Sequence, residues 1–415
     1  MKIKKIFIIL LCTFLILISF GNVLSADIVN QPSISADASI VIDNKTNKIL
    51  YSKNENKKMY PASTTKILTA ILVIENSNLD DLVTASYDAI MSIPDGYSIA
   101  NIQIGEQLTV EQLLELLLVH SANDAANVLA EFIGGSTDSF VSMMNTRINE
   151  LGLSNSHFTN VYGMHNENHY TTAHDLAIIM KYCLKNDTFR KISGQASCSI
   201  PSTNKYGTRT YNSTNELLIP NSSSYYKYLT TGKTGFTSQA KECLVSSAYK
   251  DDLELIGVVL GSNNRFSDTR AIYDFAYSNY SIKIIANEGD IASNITISNA
   301  TKETESLNLL LDESIPVLIS NSQDISEISP EIILNDNISA PIEEGSILGK
   351  IKYTVAGVTY STNIIAEHNV EKSKLPIYIL YLSIAFIFII ICFILIYKKN
   401  SKKKIIKGIL GVDYF

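Results

Sequence analysis

The 415-residue chain contains no tryptophan, which indicates nothing about function, and only five cysteines. Cys12 and Cys392 lie in long apolar runs near the two ends, which leaves Cys183, Cys198 and Cys243 for the rest of the chain. Three is an odd number, and these residues do not have the spacing of metal ligands. We therefore expect neither a disulfide framework nor a zinc site, and we predict that the three thiols are small buried side chains.

Positive charge is scarce between the two ends of the chain. The formal net charge of the whole sequence is −7. The first 26 residues carry +3 and the residues after position 397 carry +5, so the segment between them has a net charge of −15. So acidic a segment is not expected to bind a polyanion, which argues against nucleic acid as a partner.

Both ends of the sequence carry signals for export and membrane attachment. Lysines among the first five residues precede an apolar run and small residues up to Ala26, the pattern of a signal peptide over residues 1–26; an uncleaved anchor is the alternative. Residues 375–397 form a second apolar run, long enough to cross a bilayer, which takes roughly 20 residues. The basic tail, residues 398–415, is then cytoplasmic by the positive-inside rule. The sequence predicts a single-pass protein of the cell membrane, with the preceding domains on the extracytoplasmic face.

The sequence Pro61-Ala62-Ser63-Thr64-Thr65-Lys66 precedes an apolar run and predicts the start of a buried helix. Proline is tolerated in a first helical turn, because the N–H groups of that turn have no intrahelical acceptors. Residues three apart lie on one face of a helix, so Ser63 and Lys66 can meet. A lysine whose pKa is lowered by burial and nearby cations can accept the serine proton. By itself, however, Ser-x-x-Lys is also typical of a capped surface helix.

Ser121 and Asn123 form a second motif, in a tight connection between two predicted helices. The first helix is rich in leucine and begins with a capping box at Thr109-Val110-Glu111-Gln112, and the second covers about residues 124–132. Short polar side chains at such a position either cap the second helix or present a hydroxyl and an amide to a cleft.

Lys233-Thr234-Gly235 is a third motif, near the end of a strand predicted at residues 225–230. A glycine inside a strand often marks the close approach of a ligand or of another backbone segment. The lysine and threonine would supply a cation and a hydroxyl for a substrate carboxylate. As an isolated tripeptide the motif is common.

The remaining pattern predicts an α+β domain over residues 27–280 and a small all-β domain over residues 281–374. In the first domain we expect a β-hairpin at residues 38–51, strands at 241–249 and 253–261, and helices at 136–151, 172–184 and 265–277. His165 and His169 lie in a polar loop between two of these helices. With no third ligand at a useful spacing, we favour structural roles for both histidines.

Taken together, Ser63-x-x-Lys66, Ser121-x-Asn123 and Lys233-Thr234-Gly235 are the motif set of penicillin-interacting serine enzymes. The surrounding sequence resembles the low-molecular-mass penicillin-binding proteins, and more narrowly the serine-type D-alanyl-D-alanine carboxypeptidases that are similar to penicillin-binding protein 5. The resemblance covers about residues 30–280, and the β-rich domain fits the second domain of that family. It implies a β-lactamase/transpeptidase-like catalytic domain, in which a helical cluster packs on an antiparallel sheet.

The resemblance also implies a role for each matching residue, without a cofactor or metal ion. The substrate would be a peptidoglycan stem peptide that ends in D-Ala-D-Ala, and β-lactam antibiotics would acylate the same serine. The implied roles are nucleophile for Ser63, general base for Lys66, and proton relay and orientation for Ser121 and Asn123. Lys233, Thr234 and Arg265 would bind the carboxylate. The backbone N–H groups of Ser63 and Phe236, beside Gly235, would form an oxyanion hole.

Other readings of the same motifs remain open at this point. A class A β-lactamase would need a glutamate in an E-x-x-L-N context, and the nearest candidate, Glu216, is followed by residues that do not match. An anchored sensor that is acylated without turnover would share all three motifs, and transpeptidation differs only in the acceptor. Many relatives end in an amphipathic helix on the membrane, whereas this chain has a full apolar span.

Overall fold

The computed structural model of the protein describes residues 31–410. The predicted signal peptide lies outside this range, as does the end of the predicted basic tail. The described chain divides into two compact units, the first running up to Ser281 with the addition of Ser320–Ser322, and the second comprising Ile282–Ile319 and the residues from Gln323 onward. The domain limits given above remain predictions.

An antiparallel five-stranded sheet forms the centre of the first unit. Its hairpin β1–β2 is the one predicted from residues 38–51. The strands, in their order across the sheet, are β2 (Ile49–Lys53), β1 (Ala38–Asp43), β9 (Leu253–Ser262), β8 (Lys241–Lys250) and β7 (Leu229–Thr237).

Helices supply the rest of the first unit, together with two short strand pairs. The helices are α1 (Lys66–Asn76), α2 (Tyr87–Met91), α3 (Val110–Glu115), α4 (Asn123–Gly134), α5 (Thr137–Glu150), α6 (Ala173–Cys183), α7 (Asp187–Ser193) and α8 (Arg265–Asn279). The pairs are β3 (Leu82–Thr84) with β4 (Gln107–Thr109), and β5 (Ser197–Ile200) with β6 (Arg209–Asn212). The three helices predicted at residues 136–151, 172–184 and 265–277 are confirmed as α5, α6 and α8.

The sheet has helices on both faces. Ile40 and Ile42 of β1 belong to the apolar core that the sheet shares with the helical cluster around α1, which packs against α4 and α6. Because alternate residues of a strand point to opposite faces, Val41 and its neighbour Gly257 on β9 face the other side. There α8 packs, and its Tyr273 hydroxyl accepts the Gly257 N–H at 2.8 Å.

In its described residues the second unit is all-β, as predicted, apart from a short 3₁₀ turn at Ile325–Glu327 and its C-terminal helix. One sheet has the order β11 (Ile291–Thr296), β12 (Ser306–Leu311), β16 (Val358–Ala366), β15 (Ile347–Val355) and β14 (Pro330–Leu334), and β10 (Tyr280–Ile284) pairs with β13 (Pro316–Ser320). Helix α9 (Leu375–Leu410) follows. Its stretch Ile377–Lys399 is long enough and apolar enough to cross a membrane, which suits a membrane anchor.

The third motif lies deeper in its strand than the sequence predicted. The prediction placed a strand at residues 225–230 and the motif near its end, whereas β7 begins at Leu229 and continues to Thr237. The strand is maintained because every residue of Lys233-Thr234-Gly235 pairs with a residue of β8, up to the hairpin pair Thr237–Lys241. Pairing with a long neighbouring strand thus outweighs the low strand propensity of glycine.

The three cysteines of the first unit are free and buried. Burial raises the pKa of the Cys243 thiol to about 11, so this thiol is not a reactive thiolate at neutral pH. The prediction of small buried side chains is confirmed for Cys183, Cys198 and Cys243.

Candidate active site

The first motif forms the turn that leads into α1. Ala62–Thr65 make a single 3₁₀ turn and α1 begins at Lys66, so Ser63 lies just before the helix. Ala62 has a φ of 46°, in the left-handed region that costs a residue with a Cβ atom roughly 1–2 kcal/mol. The Thr65 hydroxyl donates to the Ala62 carbonyl at 2.8 Å and helps to hold this conformation.

The amine of Lys66 lies at the centre of the site. Its Nζ atom is 2.9 Å from Ser63 Oγ, 2.6 Å from Asn123 Oδ1 and 3.0 Å from the carbonyl oxygen of Tyr162. The Lys66 side chain has no exposed surface. The serine hydroxyl, by contrast, lines an open cleft of about 660 Å³. The geometry therefore places a buried amine directly behind an accessible hydroxyl.

Burial also sets the charge of the two lysines of the site. Burial, and after it the positive charge of Lys233, hold the pKa of Lys66 well below its usual range, although the carboxylate of Asp124 acts in the opposite direction. Burial also lowers the pKa of Lys233 to about 7, with the charge of Arg265 as the second cause. Since a neutral amine has a lone pair, Lys66 in this environment is suited to accept a proton.

The second motif enters the site from the connection between α3 and α4. After α3, Leu116–His120 form one π-helical turn, and Ser121 follows in the left-handed region with a φ of 68°. The N-cap of α4 is Ala122, and the helix has no side-chain cap. Asn123 instead directs its Oδ1 atom at Lys66 Nζ, and Ser121 lines the cleft. The side chains are thus presented to a cleft rather than used as caps.

The third motif borders the Ser63 turn through strand β7. A Cβ atom at Gly235 would lie 2.9 Å from the carbonyl oxygen of Pro61 and 3.0 Å from the backbone nitrogen of Ser63, so only glycine fits there without a shift. Lys233 is buried, and its Nζ donates to the Thr234 carbonyl at 3.0 Å. The close approach of another backbone, expected from the sequence, is the Pro61–Ser63 turn.

Arg265, the first residue of α8, reaches the same strand. Its Nη1 donates to the Gly235 carbonyl at 2.7 Å, and its backbone N–H donates to Glu242 at 2.9 Å. The guanidinium therefore supports β7 while it lines the cleft. The Phe236 side chain is 63% exposed at the rim. The predicted residues that line the cleft are Ser63, Ser121, Asn123, Thr234, Gly235, Phe236 and Arg265.

Several cleft residues were not identified from the sequence. Tyr97, Met164 and Thr214 line the cleft, and the Thr214 hydroxyl lies 2.6 Å from that of Thr234. These residues come from irregular segments between the motifs, where neither spacing nor residue type indicates which way a side chain points. His165, given a structural role from the sequence, also lines the cleft.

His169 is buried beneath the Ser63 turn. Its Nδ1 atom accepts the N–H of Thr159 at 3.1 Å, so the proton of the neutral ring is on Nε2, which donates to the Thr65 hydroxyl at 2.8 Å. The Thr65 hydroxyl in turn donates to Ala62. The side chain thus supports the strained turn without facing the cleft, which agrees with a structural role.

Comparison with known proteins finds matches to both parts of the chain. A model of the D-alanyl-D-alanine carboxypeptidase family, Peptidase S11, matches residues 25–264, and a model of the penicillin-binding protein 5 C-terminal domain matches residues 280–372. The chain is 32% identical to D-alanyl-D-alanine carboxypeptidase DacF of Bacillus subtilis, over 81% of this chain and 86% of that protein.

Two solved structures are also similar. Penicillin-binding protein 5 of Haemophilus influenzae matches with a TM-score of 0.63 and 27% identity, over 83% of this chain and 99% of the other. The DD-transpeptidase of Streptomyces K15 matches with a TM-score of 0.56 and 34% identity, over 60% of this chain and 99% of the other. The α+β catalytic fold with an all-β C-terminal domain, predicted from the sequence, is confirmed.

We predict that His169 makes the first unit sensitive to acid. Burial lowers the pKa of His169 to about 3, whereas an unfolded histidine titrates near ~6.5. Between these pH values the unfolded chain binds a proton that the folded chain does not, so the free energy of unfolding should fall with falling pH by up to ~1.4 kcal/mol per unit. Urea titrations of the wild type and of His169→Gln between pH 7 and pH 4 measure this slope.

The His169→Gln variant should be less stable than the wild type at pH 7. Because glutamine does not titrate in this range, the variant should lose less stability on acidification. The same exchange at the partly buried His368, in the second unit, should leave the acid sensitivity of the first unit in place. A His169→Gln chain with the full wild-type slope would show that His169 is not held neutral in the fold.

Proposed function

This chain belongs to the D-alanyl-D-alanine carboxypeptidase family, and we propose on that basis that it removes the terminal D-alanine from peptidoglycan stem pentapeptides through an acyl-enzyme on Ser63. As a member of this family it is a serine peptidase. The observation that carries the proposal is the 2.9 Å separation between the buried Lys66 amine and the Ser63 hydroxyl, which is open to the cleft.

In the acylation step, Ser63 Oγ attacks the carbonyl carbon of the D-Ala–D-Ala bond while its proton passes to Lys66 Nζ. The oxyanion that forms is bound by the backbone N–H groups of Ser63 and Phe236. The carbon–nitrogen bond then breaks, and the departing amine of D-alanine takes up a proton that Ser121 relays from Lys66. Asn123 orients the substrate. Its Oδ1 atom also accepts a hydrogen bond from Lys66 Nζ and so orients the base.

The terminal carboxylate of the substrate gives the site its exopeptidase character. Lys233 and Thr234 bind this carboxylate, and the guanidinium of Arg265 adds positive charge at the same end of the cleft. The pKa of Lys233 is lowered to about 7 without a substrate. An anion beside it favours the protonated form, so substrate binding restores the charge that the carboxylate needs.

Deacylation completes the turnover. Water attacks the ester carbonyl, the bond to Ser63 Oγ breaks, and the serine recovers its proton while the shortened peptide leaves as a carboxylate. A β-lactam acylates Ser63 by opening its ring, so no leaving group departs. Slow hydrolysis of that ester makes the β-lactam an inhibitor.

The structure offers little support for a class A β-lactamase. Glu216 is exposed, lies in a short 3₁₀ turn and accepts from the hydroxyls of Ser222 and Ser224, outside the cleft that contains Ser63. It is therefore poorly placed to activate a deacylating water. Transfer to an amine acceptor is the better second candidate, since the similar Streptomyces K15 structure is that of a DD-transpeptidase.

We also propose that α9 anchors the protein in the membrane with the catalytic unit on the extracytoplasmic face. The apolar stretch Ile377–Lys399 is followed by further lysines in the sequence, and positive charge favours the cytoplasmic side. A fluorescent penicillin that cannot cross the membrane should label Ser63 in intact cells. Labelling only in broken cells would indicate the opposite orientation, with the catalytic unit on the cytoplasmic side.

We expect the purified full-length chain, in detergent, to release D-alanine from a pentapeptide that ends in D-Ala-D-Ala. Ser63→Ala should lower the release by at least ~10³-fold, because the nucleophile is absent. Lys66→Arg should lower it by ~10²–10⁴-fold, because arginine stays protonated and cannot act as a base. The amount of free D-alanine and covalent labelling by a fluorescent penicillin are the two measurements.

The combinations of outcomes separate the candidate functions. Release that disappears in Ser63→Ala establishes a carboxypeptidase with Ser63 as nucleophile. Penicillin labelling at Ser63 without release, but with peptide transfer to an added amine, would support transpeptidation. Labelling with neither product would support a sensor without turnover. A chain that neither labels nor releases D-alanine would contradict the whole assignment.

We predict that carboxylate recognition depends on Lys233. Wild-type kcat/KM should fall by ~10²-fold or more when the peptide ends in D-alaninamide, because a buried cation then loses its charged partner. In Lys233→Gln, the acid and amide peptides should react at similar low rates. Lys227→Gln removes an exposed lysine outside the cleft and should keep the wild-type preference. If Lys233→Gln still preferred the acid peptide over the amide peptide as strongly as the wild type does, the carboxylate would be recognised by other residues.

A further inference from the structure

We propose that Asn160 is a positioning residue for the general base, because it holds the Tyr162–Met164 turn whose Tyr162 carbonyl binds Lys66. This inference rests on the proposed function, since it assumes that Lys66 takes the proton of Ser63. Asn160 does not line the cleft, so it would act through this turn rather than by contact with substrate.

Both the oxygen and the nitrogen of the Asn160 side-chain amide bind the backbone of this turn. Its Oδ1 atom accepts the backbone N–H groups of Gly163 at 2.8 Å and Met164 at 2.9 Å, with a longer contact of 3.4 Å to that of Tyr162. Its Nδ2 donates to the Met164 carbonyl at 2.9 Å. Since Gly163 has a φ of 91°, the turn is one that residues with a Cβ atom rarely adopt, and Asn160 stabilises it.

The turn held by Asn160 touches both reactive residues. The Tyr162 carbonyl accepts from Lys66 Nζ at 3.0 Å. At the next residue, a Cβ atom on Gly163 would fall 1.9 Å from the Ala62 carbonyl oxygen, so the turn packs directly against the segment that carries Ser63. The position of this turn therefore determines where one hydrogen-bond acceptor of Lys66 lies. It also determines one of the surfaces against which the Ser63 segment packs.

Counting donors and acceptors shows why this carbonyl matters. A neutral lysine amine has two N–H groups and one lone pair. If Asn123 Oδ1 and the Tyr162 carbonyl accept the two N–H groups, the lone pair is left for the Ser63 hydroxyl, 2.9 Å away. If the Tyr162 carbonyl moves, the amine can rotate, and the lone pair is aimed at Ser63 for only part of the time. The rate of proton transfer should then fall, while substrate binding is unaffected.

The test is the kinetics of acylation by a chromogenic β-lactam with the full-length chain. Asn160→Ala should lower the first-order acylation rate at saturating β-lactam by ~10–100-fold, the loss expected when a catalytic group is misplaced by about 1 Å. The dissociation constant of the non-covalent complex should stay within about twofold of wild type, and labelling should still reach one β-lactam per chain. Asn160→Asp keeps the acceptor for the turn N–H groups and should recover much of the rate.

Asn186→Ala is the matched control. Asn186 also accepts a backbone N–H, from Phe189 at 3.0 Å, but it caps α7 outside the cleft. Its loss should lower the stability of the chain without changing the acylation rate. A wild-type rate in Asn160→Ala, an equal loss in Asn186→Ala, or a reduced labelled fraction at an unchanged rate would each overturn the positioning role. A wild-type chain that is never labelled and releases no D-alanine would instead overturn the proposed function, and this inference with it.

Discussion

The burial of the Lys66 amine is the constraint on which the rest of the site depends. A charged ammonium loses several kcal/mol of hydration when it is taken out of water, so burial favours the neutral amine. The fold adds Lys233 nearby, which disfavours the charge further, and supplies two carbonyl oxygens for the remaining N–H groups. A surface lysine beside Ser63 would stay protonated and could not act as a base.

Three separate parts of the chain must meet around that amine, and two of them meet in strained conformations. Ala62 and Ser121 both have positive φ angles, which cost free energy in residues with a Cβ atom. Tertiary contacts stabilise the first of these: His169 supports the turn from below through Thr65, and Gly235 lets β7 pass beside it. Such strain is typical of functional sites, where the position of a side chain matters more than the stability of its backbone.

The fold would also allow a buried lysine to act as the proposed base on a bulky substrate. The serine hydroxyl, the Thr234 hydroxyl and the Arg265 guanidinium face an open cleft, while the Lys66 amine lies behind it and Lys233 is almost fully buried. Under the proposed function, the peptide would therefore meet Ser63 and the proposed carboxylate-binding groups without hydrating Lys66. An apolar helix at the C-terminus suits an enzyme of a family that acts on the cell wall, because the proposed membrane anchor would keep the enzyme close to the membrane surface.

The sequence by itself determined the motifs, most helices of the first unit, the all-β character of the second unit and the apolar helix, because these depend on local periodicity and on residue types. It also predicted that Ser63 and Lys66 meet, since they are three residues apart in one turn. Only the tertiary structure decided that Asn123 faces Lys66 rather than capping α4, that the third motif lies inside β7, that Asn160 holds the Tyr162–Met164 turn and that His169 supports the Ser63 turn. These contacts join residues far apart in sequence, and their geometry follows from strand pairing and core packing, which no local pattern encodes.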